Sequence, residues 1–82
     1  LKEVLPAQIT WLDSSTHGGW HHAHEAENAQ PQECVTIGFI LEDTDDRVVV
    51  AQSICEAIGH IGNILVIPGS LITNIVHLKE VS

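Results

Sequence analysis

Six histidines, two cysteines and eleven acidic residues are the groups in this chain of 82 residues with the widest chemical reach. His17, His21 and His24 stand at i, i+4 and i+7 in the run H-G-G-W-H-H-A-H. On a helix, that spacing brings three imidazoles to one side, where they could share a metal ion. Two glycines interrupt the backbone between His17 and His21, and no Cys or carboxylate is well placed as a fourth ligand. The segment is therefore read as a solvated helix face, with no metal site and no other cofactor. Cys34 or Cys55 could serve as a nucleophile only with a base in reach. No spacing in the sequence supplies one, so no catalytic residue is expected and the chain is read as a non-enzyme. The densest charge is the run Asp43, Thr44, Asp45, Asp46, followed at once by Arg47.

That acidic run is also the pivot of the fold. C-V-T-I-G-F-I-L-E precedes it and R-V-V-V-A-Q-S-I-C follows it, two β-branched and aliphatic stretches joined by residues that favour turns. They read as one long hairpin with a four-residue loop. If Glu42 pairs with Arg47, the register sets Ile40 opposite Val49, Gly38 opposite Ala51, Thr36 opposite Ser53 and Cys34 opposite Cys55. Val35, Ile37, Phe39, Leu41, Val48, Val50 and Ile54 then form the core face. Upstream, residues 8–12 read as a first strand. Asp13 to Gly19 make a loop, Trp20 anchors its far end, and a short helix over residues 20–28 follows. Downstream, a short helix over residues 54–60 competes with a continued strand, and the reading taken is a strand to about Ser53 followed by an irregular or briefly helical loop. Residues 63–67, N-I-L-V-I, read as a strand buried on both faces, Pro68 and Gly69 as a sharp corner, and residues 71–78 as a last strand. With the hairpin arms at 34–42 and 47–53, five short strands predict a mainly β chain, a small and strongly bent barrel with a short helix inserted after the first strand. A single domain covers 1–82.

Composition narrows the function. A chain this short buries only about 60% of its unfolded surface, so association is the usual remedy. Hydrophobic residues make up 44% of the chain but include only two Trp, one Phe and no Tyr, so the core must be aliphatic. Three basic residues against eleven acidic ones give a net charge of -8, which repels nucleic acid at long range. No apolar run of 18 residues and no signal-like start is seen, so no membrane partner is expected. Two cysteines in such a chain read as free thiols in a reducing compartment.

Residues 35–78 resemble the two sequence blocks of Sm and Sm-like proteins. Gly38 stands where the first block has its glycine, Asp43 where it has its aspartate, and Val48 to Val50 where it has its apolar run. Ile67, Pro68, Gly69 and Leu71 to Leu78 are similar to the second block. The resemblance implies an Sm-like, SH3-like barrel and a base-binding site built from the first turn and the later corner, here Asp43, Asp45, Asp46, Arg47, Pro68, Gly69 and Ser70. The family holds a uridine or adenine base with an Asn and an Arg. Arg47 and Pro68 occupy those places here, and neither offers the same groups. A looser resemblance runs through Trp11, Asp13, Ser14, Gly19, Trp20, Thr36, Gly38, Phe39, Glu42, Asp45, Val48, Ala51, Gln52, Ser53 and Val66 to Pro68. It is similar to a group of small, mostly uncharacterised proteins of tailed bacteriophages, which implies work in a bacterial cytoplasm.

Sm-like proteins join the fourth strand of one subunit to the fifth of the next. The resemblance therefore implies a homo-oligomeric ring, with Ile64, Val66, Leu71, Thr73, Ile75 and His77 at the interface. A strongly bent barrel would suit closure at roughly five to seven subunits, since a heterologous contact must close or run on as a filament. Two functions follow as expectations. One is a non-enzymatic ring protein that binds RNA or single-stranded DNA, and the other is an acidic interaction or small-ligand module with no nucleic-acid role.

Overall fold

The computed structural model describes residues 4–79. It is mainly β, with five antiparallel strands in one unclosed sheet: β1 (Pro6–Asp13), β2 (Gln32–Asp43), β3 (Arg47–Cys55), β4 (His60–Pro68) and β5 (Ile72–His77). Their order across the sheet is β4-β3-β2-β1-β5, so β4 and β5 are the two edges. All five strands lie where the sequence places them, although β4 begins three residues before the expected Asn63. Residues 54–60 divide between the alternatives. β3 runs on to Cys55, a 3₁₀ turn takes Glu56–Ile58, and Gly59, at φ 65°, reverses the chain into β4.

The expected hairpin register is corrected by one residue. Ile40 lies opposite Val50 and Phe39 opposite Ala51, then the ladder slips at Leu41 and Glu42 faces Val49. A one-residue shift turns β2 over relative to β3. Val48 and Val50 are buried as expected, whereas Val35 and Ile37 are exposed. Ile40 packs on the core in their place, beside Ile9, Val48, Val50 and Ile67. Cys34 faces Trp11 and Cys55 faces His60, so the two free thiols are not partners.

The last two strands also depart from expectation. N-I-L-V-I is not buried on both faces, because β4 is an edge. Ile67 is buried, while Ile64, Leu65 and Val66 are exposed. In β5 a register shift opposite Thr10 and Trp11 makes Ile72 and Ile75 the residues that pack on the core. Ile75, expected at the subunit interface, is thus on the inner side and Val76 on the outer.

The helix expected over 20–28 is a single 3₁₀ turn, Ala23–Asn28. Its ends are closed by Glu25 N–H to His22 O and Ala29 N–H to Ala26 O, with no side-chain cap, and six residues are too few to repay the cost of starting an α-helix. Trp20 anchors nothing and is fully exposed at 103%. The molecule measures 55 × 26 × 26 Å, with a Cα radius of gyration of 16.6 Å, against about 12 Å for a compact chain of this length. The fully buried apolar side chains are few: Ala7, Ile9, Val48, Val50, Ala51 and Ile67 among the described residues.

Candidate functional site

The β2–β3 turn and the corner after β4 meet at one end of the sheet. Across the turn, Thr44 N–H donates to Arg47 O at 2.9 Å and Arg47 N–H donates to the Thr44 hydroxyl at 3.3 Å, so the short side chain closes the loop as Thr does in such turns. β3 then carries Arg47 opposite Pro68 on β4. The chain turns through a 3₁₀ segment, Gly69–Leu71, whose Gly69 N–H donates to Asp46 O at 2.8 Å. A Cβ on Gly69 would collide with the Asp45 carbonyl and lie 3.3 Å from the Asp46 carbonyl carbon. Glycine is required there for close approach of two backbones. The structure therefore brings together the residues that sequence singled out, Asp43, Asp45, Asp46, Arg47, Pro68, Gly69 and Ser70, across more than twenty positions of chain.

The chemistry of that end is acidic. Arg47 is held by Glu42 through Nη2 and Oε2 at 2.5 Å, so its cation is committed within the hairpin. Asp43, Asp45 and Asp46 are exposed beside it. The three basic residues of the chain are Lys2, Arg47 and Lys79; Lys2 lies outside the described residues. The end can accept hydrogen bonds and repel phosphates. It offers no nucleophile with a base beside it.

The residues assigned to self-association are divided between the edges. Ile64 and Val66 lie on β4, Leu71 in the corner, and Thr73, Ile75 and His77 on β5. Thr73 donates its hydroxyl to Thr10 O at 3.2 Å and Ile75 packs on the core, so these two also serve the subunit itself. Val66 faces Val49 and Ile64 faces Ala51, on the side of the sheet away from the Val48–Ile67 pair.

In the loop between β1 and β2, His17, His21 and His24 do not converge, and no group of three or more metal-ligating side chains occurs among the described residues. His21 instead bridges two acceptors, with Nδ1 2.8 Å from Glu25 Oε2 and Nε2 2.8 Å from Gly18 O. The Glu25 carboxylate, and after it the Gly18 carbonyl, raise its pKa above the ordinary value. The rings of His22 and His24 stack with centroids 5.6 Å apart. An open hollow of about 500 Å³ is lined by this loop's own residues.

Sequence reasoning missed a second cleft. The β2–β3 ladder ends at Phe39 and Ala51, and beyond it the arms part, β2 staying with β1 and β3 with β4. The fork borders an open cleft of about 290 Å³. At its mouth the Asn63 amide donates from Nδ2 to Gln52 Oε1 at 2.5 Å. Asn63 has φ 55° in the middle of β4, the one non-glycine residue with positive φ among those described. The dipeptide Gly62-Asn63 is a turn signal, and it is the trace of this feature in the sequence. No family model, no curated protein and no solved structure matches the chain.

Proposed function

We propose that this chain is a non-enzymatic, self-assembling subunit of Sm-like type, a bent barrel domain over residues 1–82 whose copies join edge to edge in a ring and act as an acidic interaction module. The observation that carries the reading is the pair of open edges on a sheet with so small a core. β4 and β5 end the sheet on opposite sides, and each edge strand presents unpaired backbone groups that a second chain can complete. The two edges differ, so the contact is heterologous and repeats, closing at roughly five to seven copies or running on as a filament. Ile64 and Val66 are more than half exposed, and Leu71 and Val76 are exposed too. Burying such side chains against a neighbour contributes about 25 cal/mol per Å² of apolar surface. A second copy of this chain is the occupant because it brings both edges. Sedimentation velocity of Val66→Asp tests this. The variant keeps the fold, since Val66 is outside the core, and should sediment as smaller species. An assembly unchanged by both Val66→Asp and Ile64→Asp would contradict the proposal.

A second reading, binding of RNA or single-stranded DNA, draws on the meeting of the 43–47 turn with the 68–70 corner, the place where the family resemblance puts a base. The acids there and the commitment of Arg47 to Glu42 weigh against a phosphate backbone. Fluorescence anisotropy with oligo-U and oligo-dT over a salt series separates the two, and saturable binding at physiological salt would favour the nucleic-acid reading. The looser resemblance to phage proteins supports a place of action in the cytoplasm of an infected bacterium.

A further inference from the structure

We propose that the fork between the two arms of the sheet is a binding site for a small flat ring carrying adjacent C=O and N–H groups, a lactam edge, read by the Gln52–Asn63 amide pair. The inference rests on the fork alone and is independent of assembly and of the acidic end.

The shape comes from the backbone. At Gly38, β2 and β3 touch so closely that a Cβ would stand 2.6 Å from Val50 Cγ1 and 2.8 Å from Ala51 O. Directly beyond this pinch the ladder stops and the arms diverge. Val35, Thr36 and Ile37 line one side, and Gln52, Asn63 and Leu65 the other, with Val50 also lining the cleft. Val35, Ile37, Val50 and Leu65 supply apolar walls, and the volume of about 290 Å³ lies at the small end of ligand pockets, suited to one ring.

The polar groups set what that ring must carry. Asn63 Nδ2 donates to Gln52 Oε1, so that oxygen and one donor are engaged. Gln52 Nε2 is left as a donor and Asn63 Oδ1 as an acceptor, neither with another side-chain or backbone partner among the described residues. A donor and an acceptor carried on one hydrogen-bonded amide pair complement a ligand that offers both a C=O and an N–H. Thr36 Oγ1 accepts from Trp11 Nε1 at 3.0 Å, which keeps its own hydroxyl proton free as a further donor in the cleft.

Asn63 itself points the same way. A positive φ inside a strand is most cheaply adopted by glycine, and strained residues of this kind cluster at ligand clamps. Were the backbone bend the sole requirement, a glycine would serve; Asn adds a side chain that ties Gln52 and presents an acceptor. Both amides are exposed and open to a ligand.

The test is a titration of the ¹⁵N-labelled full chain followed by NMR on the side-chain NH₂ signals of Gln52 and Asn63. The probes are α-pyridone, its N-methyl derivative, which lacks the N–H, and acetamide, which has the amide edge without the ring. Saturable shifts of both signals are expected with α-pyridone. Both other probes should bind about tenfold or more weakly, since each loses a hydrogen bond or the ring's apolar contacts. Asn63→Gly, which keeps the backbone bend but removes the Oδ1 acceptor, and Gln52→Glu, which keeps the shape but removes the Nε2 donor, should each lose the response at the remaining NH₂ signal while retaining the wild-type circular dichroism spectrum. Equal response to all three probes, no response to α-pyridone, or an undiminished response in the folded variants would overturn the proposal.

Discussion

Gly38 on β2 and Val50 on β3 lie against each other at the point where the two strands part, with no room for a methyl group between them. The pinch places Ile40 against the core on one side of it and opens the fork on the other. Gly38→Ala would force the Val50 side chain and the Ala51 carbonyl to move together. Overpacking of this kind costs about 1–3 kcal/mol. Chemical denaturation should show that loss, with a lowered midpoint and an unchanged slope. A midpoint equal to wild type would mean that the strands are not so close.

Arg47 and Glu42 close the hairpin with an ion pair whose side chains are about half exposed. Exposed pairs contribute roughly 0.2–1 kcal/mol, and the turn retains its bonds between Thr44 and Arg47, which involve the Arg47 backbone. Arg47→Ala should therefore leave cooperative unfolding intact and lower the melting temperature only slightly. Loss of a cooperative transition would show that the pair holds more of the fold than its exposure suggests.

His21 sits between Glu25 and Gly18 O with both ring nitrogens 2.8 Å from an acceptor. Only the imidazolium donates from both. Its pKa is raised, first by Glu25, so the order it lends to the loop is present at low pH. That order is lost as the pH rises through the folded-state pKa. In a titration of the imidazole signals by NMR, wild-type His21 should lose its proton at higher pH than in Glu25→Gln. Identical curves for the two proteins would mean that the bridge is absent in solution.

The strands are legible because each is a β-branched or aliphatic run bounded by Pro, Gly or acidic turn residues, whereas the meeting of the 43–47 turn with the 68–70 corner is expected only from the resemblance to the Sm-like blocks. What the sequence hid were single-residue slips. The bulge at Leu41 and the shift in β5 opposite Thr10 each cost one residue of alternation, which is enough to put Ile37 outside and Ile75 inside, and period-two reading has no means of detecting an extra residue. Trp20, expected to anchor the loop, is fully exposed because the loop around it has no apolar element to receive it. The Gln52–Asn63 pair escaped notice because it depends on where two strands stop pairing, a property of the fold and not of either segment.

In the self-assembly proposed for this chain, further copies cover both edges of the sheet, and mass in solution reads this most directly. Multi-angle light scattering of the wild-type protein at micromolar concentration should give a closed species of roughly five to seven subunits. A single species at 8.9 kDa would contradict the self-assembling subunit proposed for this chain.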